Sequence, residues 1–310
     1  MKKKYLIFAP SYNDDFGGVM VMHKLCAVLN SLGYEAYLYQ FFETREINVL
    51  NYKTALAETL KDWKRYYLRA YKTKPGANTP IYDGPKLGFD ENWVVVYPEF
   101  TKGNPLKAKN VVRYLLYTPG GSERSPCYGP GELYFDHNHW SNGFNYPGST
   151  VSKTQLKILD LPLDKYNMEG ALPDGQRTGT AYCIRKGRNK PIQHSLIDSI
   201  LIDRMNHTEI SQIFKRVKTF ISYDTHTYYG YFAALCGADA IVIPDEGVSK
   251  DLWEPDPVNR YGVAYGFEDL DCARATAPLL KDFIVSKENQ AMDLVRLFVS
   301  ETQVFFAKKA

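Results

Sequence analysis

The 310 residues are 45% hydrophobic and 24% charged with a formal net charge of +3, which excludes a disordered or fibrous chain. So small a positive excess leaves no electrostatic footprint for nucleic acid, and no nucleic-acid partner is expected. Five cysteines (Cys26, Cys127, Cys183, Cys236 and Cys272) are widely spaced with no CxxC pair, so free thiols in a reducing compartment and no structural metal are expected.

The opening MKKKYLIFAPSYNDD has too short an apolar core for a secretory leader, and no run approaches the length of a transmembrane helix. A cytoplasmic location is expected, or one peripheral to a membrane. KYLIFA is an apolar run of strand length, SYNDDFGG a loop, and VMVMHKLCAVLNSLG is spaced as a helix on Val19, Met22, Leu25, Cys26, Leu29 and Leu32, with Gly33 as its stop. EAYLYQF is the second strand. Strand, glycine loop, helix and strand make a βαβ crossover, and strands apolar on both faces imply a parallel sheet. Gly17 and Gly18 then sit at the carboxyl end of the first strand, where open α/β sheets bind ligands.

Residues 45–92 are polar and irregular around one helical segment, ALAETLKDWKRYYLRAYKTK. Its basic and aromatic residues, 55–74, offer a peripheral contact with anionic lipid; a solvated helix with inward tyrosines is the plainer reading. ENWVVVYPE and NVVRYLLYTPGG return to strands, ending in the turns at Pro98–Glu99 and Thr118–Gly121. A composition shift near 160 opens DLPLDKYNMEGALPDGQRTG, rich in Pro, Gly and charge and expected as a linker. The pattern then restarts: TAYCIRKG and DSILID as strands, HTEISQIFKRV as a helix, TFISYD as a strand, YYGYFAALCG as a helix and AIVIPD as a strand. SKENQAMDLVRLFVSETQVFFA closes the chain as an amphipathic helix. Three segments are therefore expected: a first α/β domain over 1–160, a second over 161–290, and a helix over 291–310 packing back on the first.

Several enzyme classes drop out on motifs. GxGxxG is absent after the first strand, as are GxxxxGK[ST], GxSxG and HExxH. In the second half, CIRKGRNK places Arg185, Lys186, Arg188 and Lys190 at a strand terminus, where cations can neutralise a diphosphate and a guanidinium can bind it bidentately. A solvated basic loop is the plain alternative. About forty residues later SYDTHTYYGYFAALCG puts Asp224, Thr225, His226 and Thr227 in the turn before a helix. The plain reading is an N-cap cluster, and the functional one an anion site at the helix start. Asp14–Asp15 and Asp269–Leu270–Asp271 are not read as metal sites. His23 reads as structural.

FGGVMVMHKLCAVLNSLGYEAYLY, YCIRKGRNK and ISYDTHTYYGYFAALCGADAIVIPD together resemble the GT-B glycosyltransferases. Within them the chain resembles bacterial and viral relatives of the retaining sucrose-synthase-like family, including rhamnosyltransferase-type enzymes of surface polysaccharide assembly. The resemblance implies an α/β fold of two Rossmann-like domains facing a central cleft, with a nucleotide-sugar donor held by the second and a glycan or glycolipid acceptor by the first. It implies that Gly17 and Gly18 face the donor phosphates, that Arg185 and Lys190 match an Arg-x4-Lys pair on the diphosphate, and that Asp224 is the first acid of a Glu-x7-Glu motif. The second acid falls on Phe232, and no histidine stands at Thr118–Pro119–Gly120. Thr225, Thr227 and Tyr228, with Lys186, are the candidates to complete the donor contacts, and His226 is grouped with Asp224 as catalytic. Glu99, His137 and His139 are acceptor-side candidates. No metal or other cofactor is expected, since cations of the protein can stabilise the leaving diphosphate. The alternative is a degenerate GT-B module that binds nucleotide-sugar or glycan without turnover.

Overall fold

KYLIFA forms strand β1 (Lys4–Ala9), and five of its six residues are buried because both faces of the strand are covered. The computed structural model describes residues 2–14, 16–41, 60, 71–85, 87–120, 127–138, 141 and 143–308. Most of the basic segment 55–74, and His139, lie outside the described residues.

By contact the chain divides into two units, residues 1–160 with 287–310, and residues 161–286. In the first unit β1 is joined by β2 (Ala36–Gln40), β3 (Trp93–Pro98), β4 (Val111–Leu115), β5 (Leu133–Asp136) and β6 (Thr150–Val151) in the order β2-β1-β3-β4-β5-β6. Every pairing is parallel. Helix α1 (Gly17–Ser31) crosses from β1 to β2 and buries Met22, Leu25, Cys26 and Leu29. It ends in a Schellman motif: Gly33 sits at φ 78°, and the N–H groups of Gly33 and Tyr34 donate to Asn30 O and Leu29 O at 3.0 and 3.1 Å. Strands β5 and β6 are the two that hydrophobic patterning does not mark, because LYFD and TV are short and flanked by glycine turns.

The second unit contains β7 (Thr180–Cys183), β8 (Ser199–Leu201), α2 (His207–Phe214), β9 (Thr219–Ser222), α3 (Tyr229–Leu235), β10 (Asp239–Val242), α4 (Lys250–Trp253), β11 (Val263–Tyr265) and α5 (Leu270–Thr276). Its sheet is again all parallel, in the order β11-β10-β9-β7-β8. Numbered within the unit, this is 2-1-3-4-5 read from the β8 edge. The α/β class with two separate parallel sheets is what the chain forms. The last helix, α6 (Leu280–Ala307), is longer than its pattern predicts: Leu280 and Ile284 lie in the core of the second unit, and Ala291, Val295, Phe298 and Phe306 in that of the first. Among the described residues no helix is long and apolar enough to cross a membrane.

The segment expected as a linker is instead a packed part of the second unit. Tyr166 is buried and stacks on Phe232 with centroids 4.1 Å apart and planes 4° from parallel. Arg177, 4% exposed, donates to the Leu172, Phe214 and Cys236 carbonyls, so one guanidinium satisfies the ends of both α2 and α3. Proline and glycine mark this stretch as irregular, yet irregular backbone is ordered wherever buried side chains hold it.

Candidate functional site

In a 2-1-3-4-5 sheet the chain leaves β7 toward β8 on one side and returns to β9 on the other, so the connections diverge at the carboxyl ends of β7 and β9. That divergence opens the crevice in which open α/β sheets take ligands. The two loops lining it are the basic loop after β7 and the Asp224 turn after β9.

The basic loop is fixed by its backbone. Asp203 accepts from the N–H groups of Ile184 and Arg185, both at 3.0 Å, and Arg185 is held at φ 41°, a conformation that a side chain with a Cβ rarely adopts. Gly187 packs directly on the backbone after β9: a Cβ there would stand 2.0 Å from Tyr223 O. Tyr223 cannot easily yield, since its N–H donates to Cys183 O at 2.9 Å and its hydroxyl accepts from Gln193 N at 2.7 Å. The two loops are therefore in backbone contact, and only glycine permits it.

Lys190 lies at the far end of the loop and is half-buried. Its ammonium donates to Ile243 O at 2.6 Å and pairs with Asp245 Oδ1 at 2.8 Å. The other oxygen of Asp245 accepts from the Thr225 hydroxyl at 2.8 Å. Burial opposes ionisation of Asp245, but the hydrogen bonds from Lys190 and Thr225, with the charges of Lys190 and His226, outweigh it and hold the carboxyl below its ordinary range. Trp253 donates its indole N–H to Thr225 O at 2.8 Å and stacks on Tyr265. Loops after three adjacent strands are thus tied at one edge of the sheet.

Asp224 is 4% exposed, and its Oδ1 accepts from His226 N at 3.0 Å, closing a local turn. It caps no helix. Helix α3 opens at Tyr229 with Tyr228 in the cap position, and the Tyr228 side chain makes no cap. Thr227 accepts from Tyr229 N at 3.3 Å in a second small turn. With seven residues, α3 also has little dipole to offer an anion. The capping reading therefore fails for Asp224 and holds for Thr227, whose hydroxyl takes the first N–H of the helix, and the functional reading keeps the side chains of the turn.

Other expectations are placed differently. Arg185 lies 4.2 Å over the Tyr229 ring and donates to the Tyr229 hydroxyl. Phe232 is core, stacked on Tyr166, so no ribose-binding acid stands at that position. Lys186 is exposed on the loop and Tyr228 is half-buried beside Tyr231. Gly17, Gly18, Glu99 and His137 belong to the first unit. Gly17 and Gly18 open α1, and Glu99 accepts from Leu116 N at 3.2 Å at the end of β4. His137 is buried with Nδ1 3.1 Å from the Tyr114 hydroxyl. Desolvation, with the Lys157 charge adding to it, pushes His137 from 6.5 to about 3. The side chain is thus enclosed at the end of β5. His23 is likewise buried, between Tyr12 and Tyr71, as its structural reading requires.

Gly187, Asp245, Tyr229 and Trp253 are the site residues that sequence reasoning passes over. Asp245 carries a signal that could have found it, an acid directly after AIVIP at the carboxyl end of a strand. Among the described residues no three His, Cys, Asp or Glu side chains converge as a metal site requires.

No protein-family model matches this chain, and no curated protein sequence matches it. Among solved structures, TarM is similar over 99% of both chains at 8% identity, with a TM-score of 0.42. A sucrose-phosphate synthase from Thermosynechococcus elongatus is similar over 99% of this chain and 95% of its own, at 10% identity and a TM-score of 0.38. The BGT of T4 phage, in complex with its UDP-glucose substrate, is similar over 99% of this chain and 98% of its own, at 10% identity and a TM-score of 0.37. At such identities and scores the likeness adds no weight to what this chain's own sheets and side chains establish.

Proposed function

We propose that this chain is a GT-B glycosyltransferase that moves a sugar from a nucleotide-sugar donor to a glycan or glycolipid acceptor, with retention and without a metal. The observation that carries the reading is the convergence, at the switch point of the second sheet, of a cationic loop and an acidic turn in backbone contact through Gly187 and Tyr223. Arg185 and Lys190 supply charge for a departing diphosphate, and preorganised charge at a leaving group is a large share of such catalysis. Asp224, held by its own turn, presents a carboxylate for sugar hydroxyls. The rhamnosyltransferase-type affiliation and the retaining outcome rest on the sequence resemblance.

A panel of UDP-, GDP- and dTDP-sugars, read by thermal shift and by nucleotide release, tests the reading. Stabilisation by one donor, with release that persists in EDTA, is the expected result; no response to any nucleotide would sink it. The binding-module alternative draws on a specific observation, the burial of Phe232 where the family's second acid falls. It predicts stabilisation with no nucleotide release under any acceptor.

A further inference from the structure

Asp245 belongs to none of the motifs that drew attention to the crevice, yet both of its oxygens are used there. Oδ1 stands 2.8 Å from Lys190 Nζ, and Oδ2 accepts from Thr225 at 2.8 Å. One carboxylate after β10 therefore connects the loop after β7 to the turn after β9. The Lys190 side chain is 13% exposed and that of Asp245 42%, so the carboxylate is the more open member of the pair. An ammonium has three protons to donate. One goes to Ile243 O, one to Asp245, and an anion arriving at the third would meet Asp245 alongside it.

We infer that Asp245 is the positioning residue of this crevice, aiming Lys190 and Thr225 together and sharing Lys190 with the diphosphate of the donor. The identity of that ligand rests on the nucleotide-sugar reading above; the clamp on Lys190 does not. The two roles pull in opposite directions. As a clamp, Asp245 holds two loop side chains in one geometry, and orientation of this kind governs the rate of transfer. As a carboxylate beside a phosphate, it repels the ligand and eases departure of the nucleoside diphosphate product. A residue that merely supports the fold would, on removal, weaken binding and turnover together.

The test compares Asp245→Asn, close to isosteric, with the wild type in the full chain. Reductive methylation of Lys190 without ligand, quantified by mass spectrometry against the exposed Lys281, should rise about 3-fold when the clamp is lost. The affinity for UDP, GDP or dTDP, whichever the wild type binds, should rise about 5-fold, and kcat with the matching donor should fall roughly 10-fold. If Asp245→Asn does not fold, Thr225→Val removes one arm of the clamp and should likewise raise the labelling of Lys190 and lower kcat. Unchanged labelling of Lys190 overturns the inference whatever the nucleotides do. Raised labelling with weaker nucleotide binding overturns the sharing of Lys190. Raised labelling in a protein whose wild type binds no nucleotide upholds the clamp and places the failure with the nucleotide-sugar reading.

Discussion

Gly187→Ala is the most economical disturbance of the crevice, because it adds one methyl where two loops meet. Its Cβ would lie 2.0 Å from Tyr223 O, 2.4 Å from Tyr223 C and 2.8 Å from Tyr223 Cβ. Two of those atoms are backbone, so no rotamer change relieves the clash. Restoring even a tight contact needs a displacement of about 1 Å, and Tyr223 is held at both ends by hydrogen bonds to Cys183 O and from Gln193 N. The basic loop must move instead, against the Asp203 carboxylate that pins Ile184 and Arg185. Overpacking of this kind costs about 1–3 kcal/mol, and the same movement carries Arg185 and Lys190 away from the turn. We expect urea unfolding to show that loss of stability, and nucleotide binding to fall by at least 10-fold, as misplacement of two cations implies. Gly175→Ala is the control: a Cβ there meets nothing within 4 Å, and both quantities should stay at their wild-type values. A Gly187→Ala protein with wild-type stability and wild-type nucleotide affinity would refute the claim that this glycine sets the spacing of the crevice.

Asp224→Asn keeps an oxygen for the His226 N–H and so should unfold as the wild type does, while turnover falls on the order of 100-fold; equal kcat in the two proteins would reduce Asp224 to a turn former. In the first unit Glu132 pairs with Arg113, which is fully buried and also donates to the Thr101 and Gly103 carbonyls. Glu132→Gln should therefore cost about 3–5 kcal/mol in urea unfolding, whereas a loss below 1 kcal/mol would show that the pair adds little. His137, depressed from 6.5 to about 3, stays neutral in the native state where the unfolded chain takes up a proton, so stability is full above 6.5 and falls as the pH drops toward 3. The slope is about 1.4 kcal/mol per pH unit for this group, and unfolding of His137→Gln between pH 7 and pH 4 should be flatter by that amount. Equal slopes in the two proteins would contradict it.

Strand and helix identity was legible where burial and periodicity coincide. KYLIFA, WVVVYP and the Leu25–Leu29 face of α1 announce themselves because both sides of a parallel strand, or one side of a crossover helix, must be apolar. LYFD was not legible, since four residues between a glycine turn and a histidine show no period. The segment 161–179 misleads for the opposite reason. Its glycines and prolines do forbid regular structure, but Tyr166 and Arg177 anchor it to the core, and anchoring depends on partners distant in sequence such as Phe232 and Cys236. Chemistry was legible to the level of position. The basic loop and the acidic turn lie on adjacent strands, as two apolar runs each followed by a polar turn suggest.

Direction is the part that sequence does not carry, and Arg185 shows why. Four cations in six residues fix where positive charge accumulates, but each side chain then takes the best partner within reach. Arg185 lies over the Tyr229 ring, Lys190 is drawn to Ile243 O and Asp245, and Lys186 is exposed. The difference follows from the backbone: the left-handed turn at Arg185 and the glycine two residues later send consecutive side chains in different directions. A guanidinium over an aromatic face is a favourable but modest interaction, of about 0.5–2 kcal/mol, so a diphosphate able to form two charge-assisted hydrogen bonds competes with it on comparable terms. The Asp245 pair makes the same trade at Lys190, a protein carboxylate holding a cation that a phosphate can claim. The crevice thus keeps its cations partnered while unliganded and within reach of an anion that offers them more, an arrangement that depends on both loops meeting at Gly187 and Tyr223.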